Sequence, residues 1–210
     1  LHHVDPLDNV IVREWGTQGE LLEATVFLGR LAKVAFTQKA GDIPLLKQKH
    51  DWLLAHSGDI KNSHVYREIR ALFNRFPKRE LFYASAPSLK DIIDRIVYMS
   101  GDDEIAVHAR RGQGYMALSI AFSRVRYSYD IERELGQVLA REFGPINFAT
   151  SADLGGVSLL VFYFDAARLE KPLEPATVRH IVEGLLTTWD DRVIAALVQS
   201  RNDRTGRTHF

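Results

Sequence analysis

The sequence predicts an α+β fold in its second half, preceded by a β-hairpin and helices. Three observations carry this. From Met116 to Ser123 the large residues Met116, Leu118, Ile120 and Phe122 alternate strictly with the small residues Ala117, Ser119, Ala121 and Ser123, and a period of two is that of a strand. Two later stretches, Tyr129 to Phe143 and the run that starts at Glu174-Pro175, place apolar residues at helical spacing. Read from residue 104, the element order is ββαββα. Four antiparallel strands with both helices on one face would bury both helix stripes. This is a ferredoxin-like βαββαβ unit with its last strand moved to the front.

The elements follow in chain order. Val10-Ile11-Val12 and Ala24 to Leu28 are β-prone and flank Gly16-Thr17-Gln18-Gly19, a hairpin signal. Pro44 suits the first turn of a helix, which runs to about His56 and ends at Ser57-Gly58. Ser63 is placed to cap the next helix, whose apolar face is Val65, Ile69, Leu72, Phe73 and Phe76, and Pro77 stops it. Ser88-Leu89-Lys90-Asp91 has capping-box spacing with Asp for the usual Glu. Leu89, Ile92, Ile93, Ile96 and Val97 form the buried stripe behind it.

In the second half, Ile105, Val107 and Ala109 alternate with Ala106, His108 and Arg110 as the first strand of a hairpin. The helix from Tyr129 to Phe143 is closed by Gly144-Pro145. Ile146–Thr150 and the strongly apolar Val157–Phe164 are strands joined by Asp153-Leu154-Gly155-Gly156. The final helix presents Val178, Ile181, Val182, Leu185, Leu186 and Trp189, continued by Val193, Ile194 and Leu197. The interruption at Pro77, Lys78, Arg79, Ser85, Ala86 and Pro87 divides the chain into residues 1–85 and an α+β module over 86–200, followed by a polar tail over 201–210. The opening at Leu1 and the Arg201–Arg207 stretch read as cuts in a longer polypeptide.

Composition narrows the function. Lys plus Arg and Asp plus Glu both number 27, so no basic excess favours nucleic acid or an anionic membrane. No stretch approaches the roughly 20 apolar residues of a membrane span. With no cysteine, disulfides, Cys-ligated zinc and thiol catalysis are excluded. The composition fits a cytoplasmic protein.

The motif with most apparent chemistry is Gly112-Gln113-Gly114-Tyr115-Met116-Ala117, which reads G-x-G-x-x-A. A dinucleotide fingerprint needs a helix after the second glycine; the alternation here predicts a strand, so the motif reads as a hairpin turn that does not bind NAD. His50 and His56 are six apart, His108 stands alone and His2-His3 lies at the start, so no metal pair is read. Asp102-Asp103-Glu104 and Asp190-Asp191 read as turn and surface acids, and Ser151 and Ser158 lack a base. The candidate contact residues are Arg110 and Arg111 with Arg124 and Arg126. As hairpin neighbours they are expected to gather at one end of the sheet, for an anion or an acidic partner. The aromatics Tyr115, Phe122, Tyr127, Tyr129 and Phe162–Phe164, interleaved with arginine, imitate a single-strand nucleic-acid platform; alternation instead assigns Phe122 and one face of Phe162–Phe164 to the core.

These residues also carry a family likeness. Phe36-Thr37 with Ile43-Pro44-Leu45-Leu46-Lys47-Gln48-Lys49, Ser63-His64, Pro77-Lys78-Arg79-Glu80-Leu81-Phe82, Arg110-Arg111, Arg124-Val125-Arg126-Tyr127, Phe148-Ala149-Thr150-Ser151 and Trp189-Asp190-Asp191 fall in order along the chain. Together they resemble the N-terminal, non-catalytic region of the large, multi-domain NAD-specific glutamate dehydrogenases of bacteria. Arg79 stands where that family has an acid, Tyr83 where it has glutamine, and the turn after Arg111 is about two residues shorter. The resemblance implies an ACT-like module over roughly residues 86–200, preceded by the end of a PAS-like segment. It implies a regulatory or architectural piece of an enzyme that deaminates L-glutamate to 2-oxoglutarate. NAD would bind elsewhere in the full-length enzyme, and no catalytic, cofactor or metal residue carries over. Expected partners are the rest of its own polypeptide, a homo-oligomer and an amino-acid effector. The alternative is a free-standing ACT-like amino-acid sensor.

Overall fold

The computed structural model describes residues 8–29, 37–58, 61 and 63–187. The continuation of the last helix beyond residue 187, the Trp189-Asp190-Asp191 motif, His2-His3, Phe36 and the polar tail lie outside the described residues.

Strands β1 (Asp8–Trp15) and β2 (Leu21–Gly29) pair antiparallel around the Gly16–Gly19 turn. Helix α1 (Pro44–Ala55) begins with its proline in the first turn, where a missing N–H costs nothing. Helix α2 (His64–Arg75) is capped by the Ser63 hydroxyl, which accepts the Tyr66 N–H at 3.1 Å. Helix α3 (Lys78–Tyr83) is six residues long and occupies the stretch where periodicity breaks. It is too short for an apolar stripe to declare itself in the sequence. Helix α4 (Ala86–Val97) starts earlier than the capping-box spacing at Ser88 predicts: Ser85 is the cap, accepting the Ser88 N–H at 3.3 Å. Pro87 explains the shift, because proline is accommodated in a first turn. The Ser88 hydroxyl instead meets His108 Nε2 at 2.9 Å.

The second half is the predicted ββαββα unit: β3 (Ile105–Arg111), β4 (Tyr115–Ser123), α5 (Tyr129–Phe143), β5 (Ile146–Asp153), β6 (Val157–Asp165) and α6 (Pro175–Leu186). The sheet order is β3-β4-β6-β5, with every neighbouring pair antiparallel. That order is the ferredoxin-like one with its last strand moved to the front. The Gly112–Gly114 loop is a strand-to-strand turn, with Gly114 at φ +77°. Gly144 ends α5 at φ +111°, and a Cβ there would stand 2.6 Å from the Arg168 carbonyl oxygen.

The alternation in β4 and β6 sorts two cores. Leu118, Ile120, Phe122, Leu160, Phe162 and Phe164 pack with Leu135, Leu139 and Phe143 of α5 and Val178, Val182 and Leu186 of α6. The small residues on the other side do not face water. Ala106, Ala117 and Ala121, with Leu159, Val161 and Tyr163, share a buried cluster with Leu46, Leu53, Ile69, Phe73, Leu81, Leu89 and Ile93 of α1–α4. Alanine on the strands lets a helix approach the sheet closely, and α4 packs against α1, α2 and β3. The sheet is thus covered on both faces, and its core runs without a break across residues 77–87.

Candidate functional site

Among the described residues, a buried polar cluster lies between α3 and the sheet. Glu80 is 1% exposed and Arg110 8%. Arg110 grips the carboxylate with both arms of its guanidinium, Nε to Oε1 at 2.7 Å and Nη2 to Oε2 at 2.8 Å, the fork geometry that suits arginine to carboxylates. Its Nη1 donates to the Tyr115 hydroxyl at 2.9 Å. The Tyr163 hydroxyl donates to Glu80 Oε2. Beside this, Lys49 Nζ donates to the Leu81, Phe82 and Ala84 carbonyls at 2.7, 2.8 and 2.7 Å, satisfying acceptors that a helix end leaves open.

Electrostatics follow from burial. Burial pulls the Arg110 guanidinium down, but the Glu80 carboxylate outweighs it and the net shift is upward. Burial, then the Glu80 charge, push the Tyr163 phenol up. Burial and the neighbouring Arg110 lower the Lys49 ammonium. Each member has its partners inside the fold, so the cluster acts as a lock between helices and sheet and presents no reactive group. Removing one member would leave a buried charge unpaired.

The four arginines singled out by sequence are not brought together. Arg110 faces Ala117 and Arg111 faces Met116 in the register, while Arg124 and Arg126 follow Ser123 at the far end of β4. Seven residues of strand, roughly 25 Å, separate the two pairs. The expected cluster fails because a turn directly after Arg111 sets residues equidistant from that turn opposite one another. Arg110 is taken up by Glu80, and Arg111 is exposed. Arg124 reaches Asp153 at 3.3 Å and lies 4.7 Å over Tyr127; Arg126 pairs with Asp103.

The turn acids behave as caps and surface partners. Asp102 accepts from the Ser123 hydroxyl at 2.6 Å, and Glu104 accepts from the Ser100 N–H at 3.0 Å. Phe122, Phe162 and Phe164 lie in the core as the alternation predicts. The glycine loop does not fit a dinucleotide: Tyr115 opens a strand, so no helix N-terminus faces Gly112–Gly114.

The sequence showed Lys49 and Glu80 only as motif positions of the family likeness and Tyr163 only among the aromatics, and gave none of them a site role. Glu80 sits in the short helix with no periodic signal. Tyr163 carried the one available clue, a hydroxyl within the otherwise apolar run Leu159–Phe164, since a buried phenol needs a partner.

These features define a class: a helical segment fastened by a buried ion pair to an antiparallel α+β sheet. Residues 43–102, which hold α1–α4, match the family model described as "Glutamate dehydrogenase, helical motif 1". Over 206 residues the chain is 21% identical to an NAD-specific glutamate dehydrogenase of Pseudomonas aeruginosa. The match covers 95% of this chain and 13% of that protein, so the chain spans about an eighth of its relative's length. No solved structure matches. The chain is thus similar to an NAD-specific glutamate dehydrogenase, as the ordered motifs anticipated. Among the described residues no helix is long and apolar enough to cross a membrane.

Proposed function

We propose that this chain is a regulatory and architectural segment of an NAD-dependent glutamate dehydrogenase, in which oxidative deamination of L-glutamate and NAD binding take place elsewhere in the polypeptide. Residues 86–200 serve as an ACT-like module, and the segment before them ends a preceding PAS-like domain. The observation that carries this reading is the extent of the likeness: nearly the whole chain aligns with a small fraction of a much longer dehydrogenase. The sheet order supports the ACT-like assignment, and the self-satisfied ion pair supports a mechanical rather than a chemical role.

The test has two parts. The purified chain, supplied with L-glutamate and NAD, should reduce no cofactor; turnover by the chain alone would overturn the proposal. Deleting this segment from the complete enzyme should alter its assembly or its response to amino-acid effectors. A deletion enzyme with unchanged oligomeric state and unchanged effector response would equally overturn it.

A further inference from the structure

A cleft of about 360 Å³ lies where the short helical turn Ala40–Asp42 meets α1 and α2. Helix α1 gives it Lys47, His50 and Asp51, and α2 gives it Tyr66, Arg70 and Asn74. Positions 47, 50 and 51, like positions 66, 70 and 74, follow the three- and four-residue spacing of one helix face. The two helices therefore turn polar stripes toward a shared opening, while Leu46, Leu53, Ile69 and Phe73 enter the core. The wall is braced from within the fold: Asn74 Oδ1 accepts the Gly41 N–H at 3.3 Å, and Asn74 Nδ2 donates to the Arg70 carbonyl at 2.9 Å.

His50 is 8% exposed, and its Nε2 is buried without a hydrogen-bond partner. Folded proteins pair nearly all such atoms. Asp51 Oδ1 lies 3.5 Å from Nδ1 of the same ring, which assigns the ring proton to Nδ1. Burial lowers the pKa of the ring, so Nε2 is the lone pair of a neutral imidazole and calls for a donor. The charges around it divide into engaged and unengaged. Lys47 is paired with Asp51. Arg70, Lys39 and Asp42 also line the cleft, and among the described residues their side chains make no ion pair.

We infer that this cleft binds a small carboxylic acid that carries a hydrogen-bond donor, an ammonium or a hydroxyl, beside its carboxylate. The fork of Arg70 takes the carboxylate, with Lys39 beside it. The donor meets the His50 lone pair, and an ammonium is met by Asp42 as well. A plain anion would satisfy Arg70 and leave His50 without a partner. A plain cation would satisfy Asp42 and leave Arg70 unmet. Asp51, already engaged by Lys47 and beside the His50 ring, orients that ring. The inference stands apart from the regulatory reading, because binding is measured on this chain without the catalytic part.

The experiment is NMR titration of the 210-residue chain at low salt with butyrate, 2-hydroxybutyrate and 2-aminobutyrate, which differ only in the substituent beside the carboxylate. It is repeated on Arg70→Gln and on His50→Phe, which keeps a ring against Phe73. At least one donor-bearing probe should bind saturably, about tenfold more tightly than butyrate, and should move the His50 Nε2 resonance. Arg70→Gln should weaken that binding about tenfold, and His50→Phe should abolish the preference over butyrate. Tighter binding of 2-aminobutyrate assigns the donor to an ammonium; tighter binding of 2-hydroxybutyrate assigns it to a hydroxyl. Failure of both donor-bearing probes to bind, butyrate bound as tightly as either, a His50 Nε2 resonance unmoved at saturation, or affinity unchanged in Arg70→Gln would each overturn the site.

Discussion

Replacing Arg110 by methionine would leave the Glu80 carboxylate, 1% exposed, with the Tyr163 hydroxyl as its remaining close donor among the described residues. Breaking a buried ion pair by removing one partner costs about 3–5 kcal/mol, because the survivor stays desolvated. Tyr163 keeps its bond, and the Lys49 ammonium nearby still attracts the charge, so the lower part of that range applies, about 3 kcal/mol. For a chain of this size 1 kcal/mol corresponds to roughly 2–4 °C in Tm, so the drop should be about 6–12 °C. Urea denaturation gives the free energy directly. The double variant Glu80→Met with Arg110→Met removes both charges and should lie within about 1 kcal/mol of the parent. An Arg110→Met loss below about 1 kcal/mol, or a double variant as unstable as the two singles summed, would refute the account of a desolvated lock.

Three further outcomes are expected. Gly144→Ala should destabilise by about 1–3 kcal/mol, since the residue holds φ +111° and the new Cβ would stand 2.6 Å from the Arg168 carbonyl oxygen; thermal melts check it. Ser63→Ala should cost about 1 kcal/mol by freeing the Tyr66 N–H at the start of α2, with a matching loss of amide-exchange protection in the first turn of α2. Burial lowers the His50 and His108 pKa values below the ordinary 6.5. The unfolded chain then binds protons first as pH falls through 6.5, so stability should decline from about pH 7 toward pH 5 and be regained as pH rises. His108→Gln should flatten that slope in urea midpoints taken across the range, and an unchanged slope in both His108→Gln and His50→Gln would refute the assignment.

Much of the fold was legible because its signals are local. The hairpin Gly112–Gly114 declared itself through the period-two run behind it, and α5 through a 15-residue stripe closed by glycine. The Ser63 cap needed only the residues beside it. The misses have equally definite causes. Helix α3 is too short to show a period, and Pro87 moved the cap of α4 to Ser85. The arginine cluster failed on register, which pairs Arg111 with Met116 and leaves Arg124 at the opposite end.

The sequence by itself determined the ββαββα order of the second half, the faces that α2, α4, α5 and α6 bury and the strand that follows the glycine motif, because side-chain period and turn chemistry act over a few residues. It also carried the ordered motifs that relate the chain to glutamate dehydrogenases. Tertiary structure alone decided what covers the small-residue face of the sheet, and it alone brought Glu80 to Arg110 and to Tyr163, 30 and 83 residues away in sequence. Those contacts are set by how α1–α4 dock on alanines of the sheet, and docking depends on distances that no local pattern encodes.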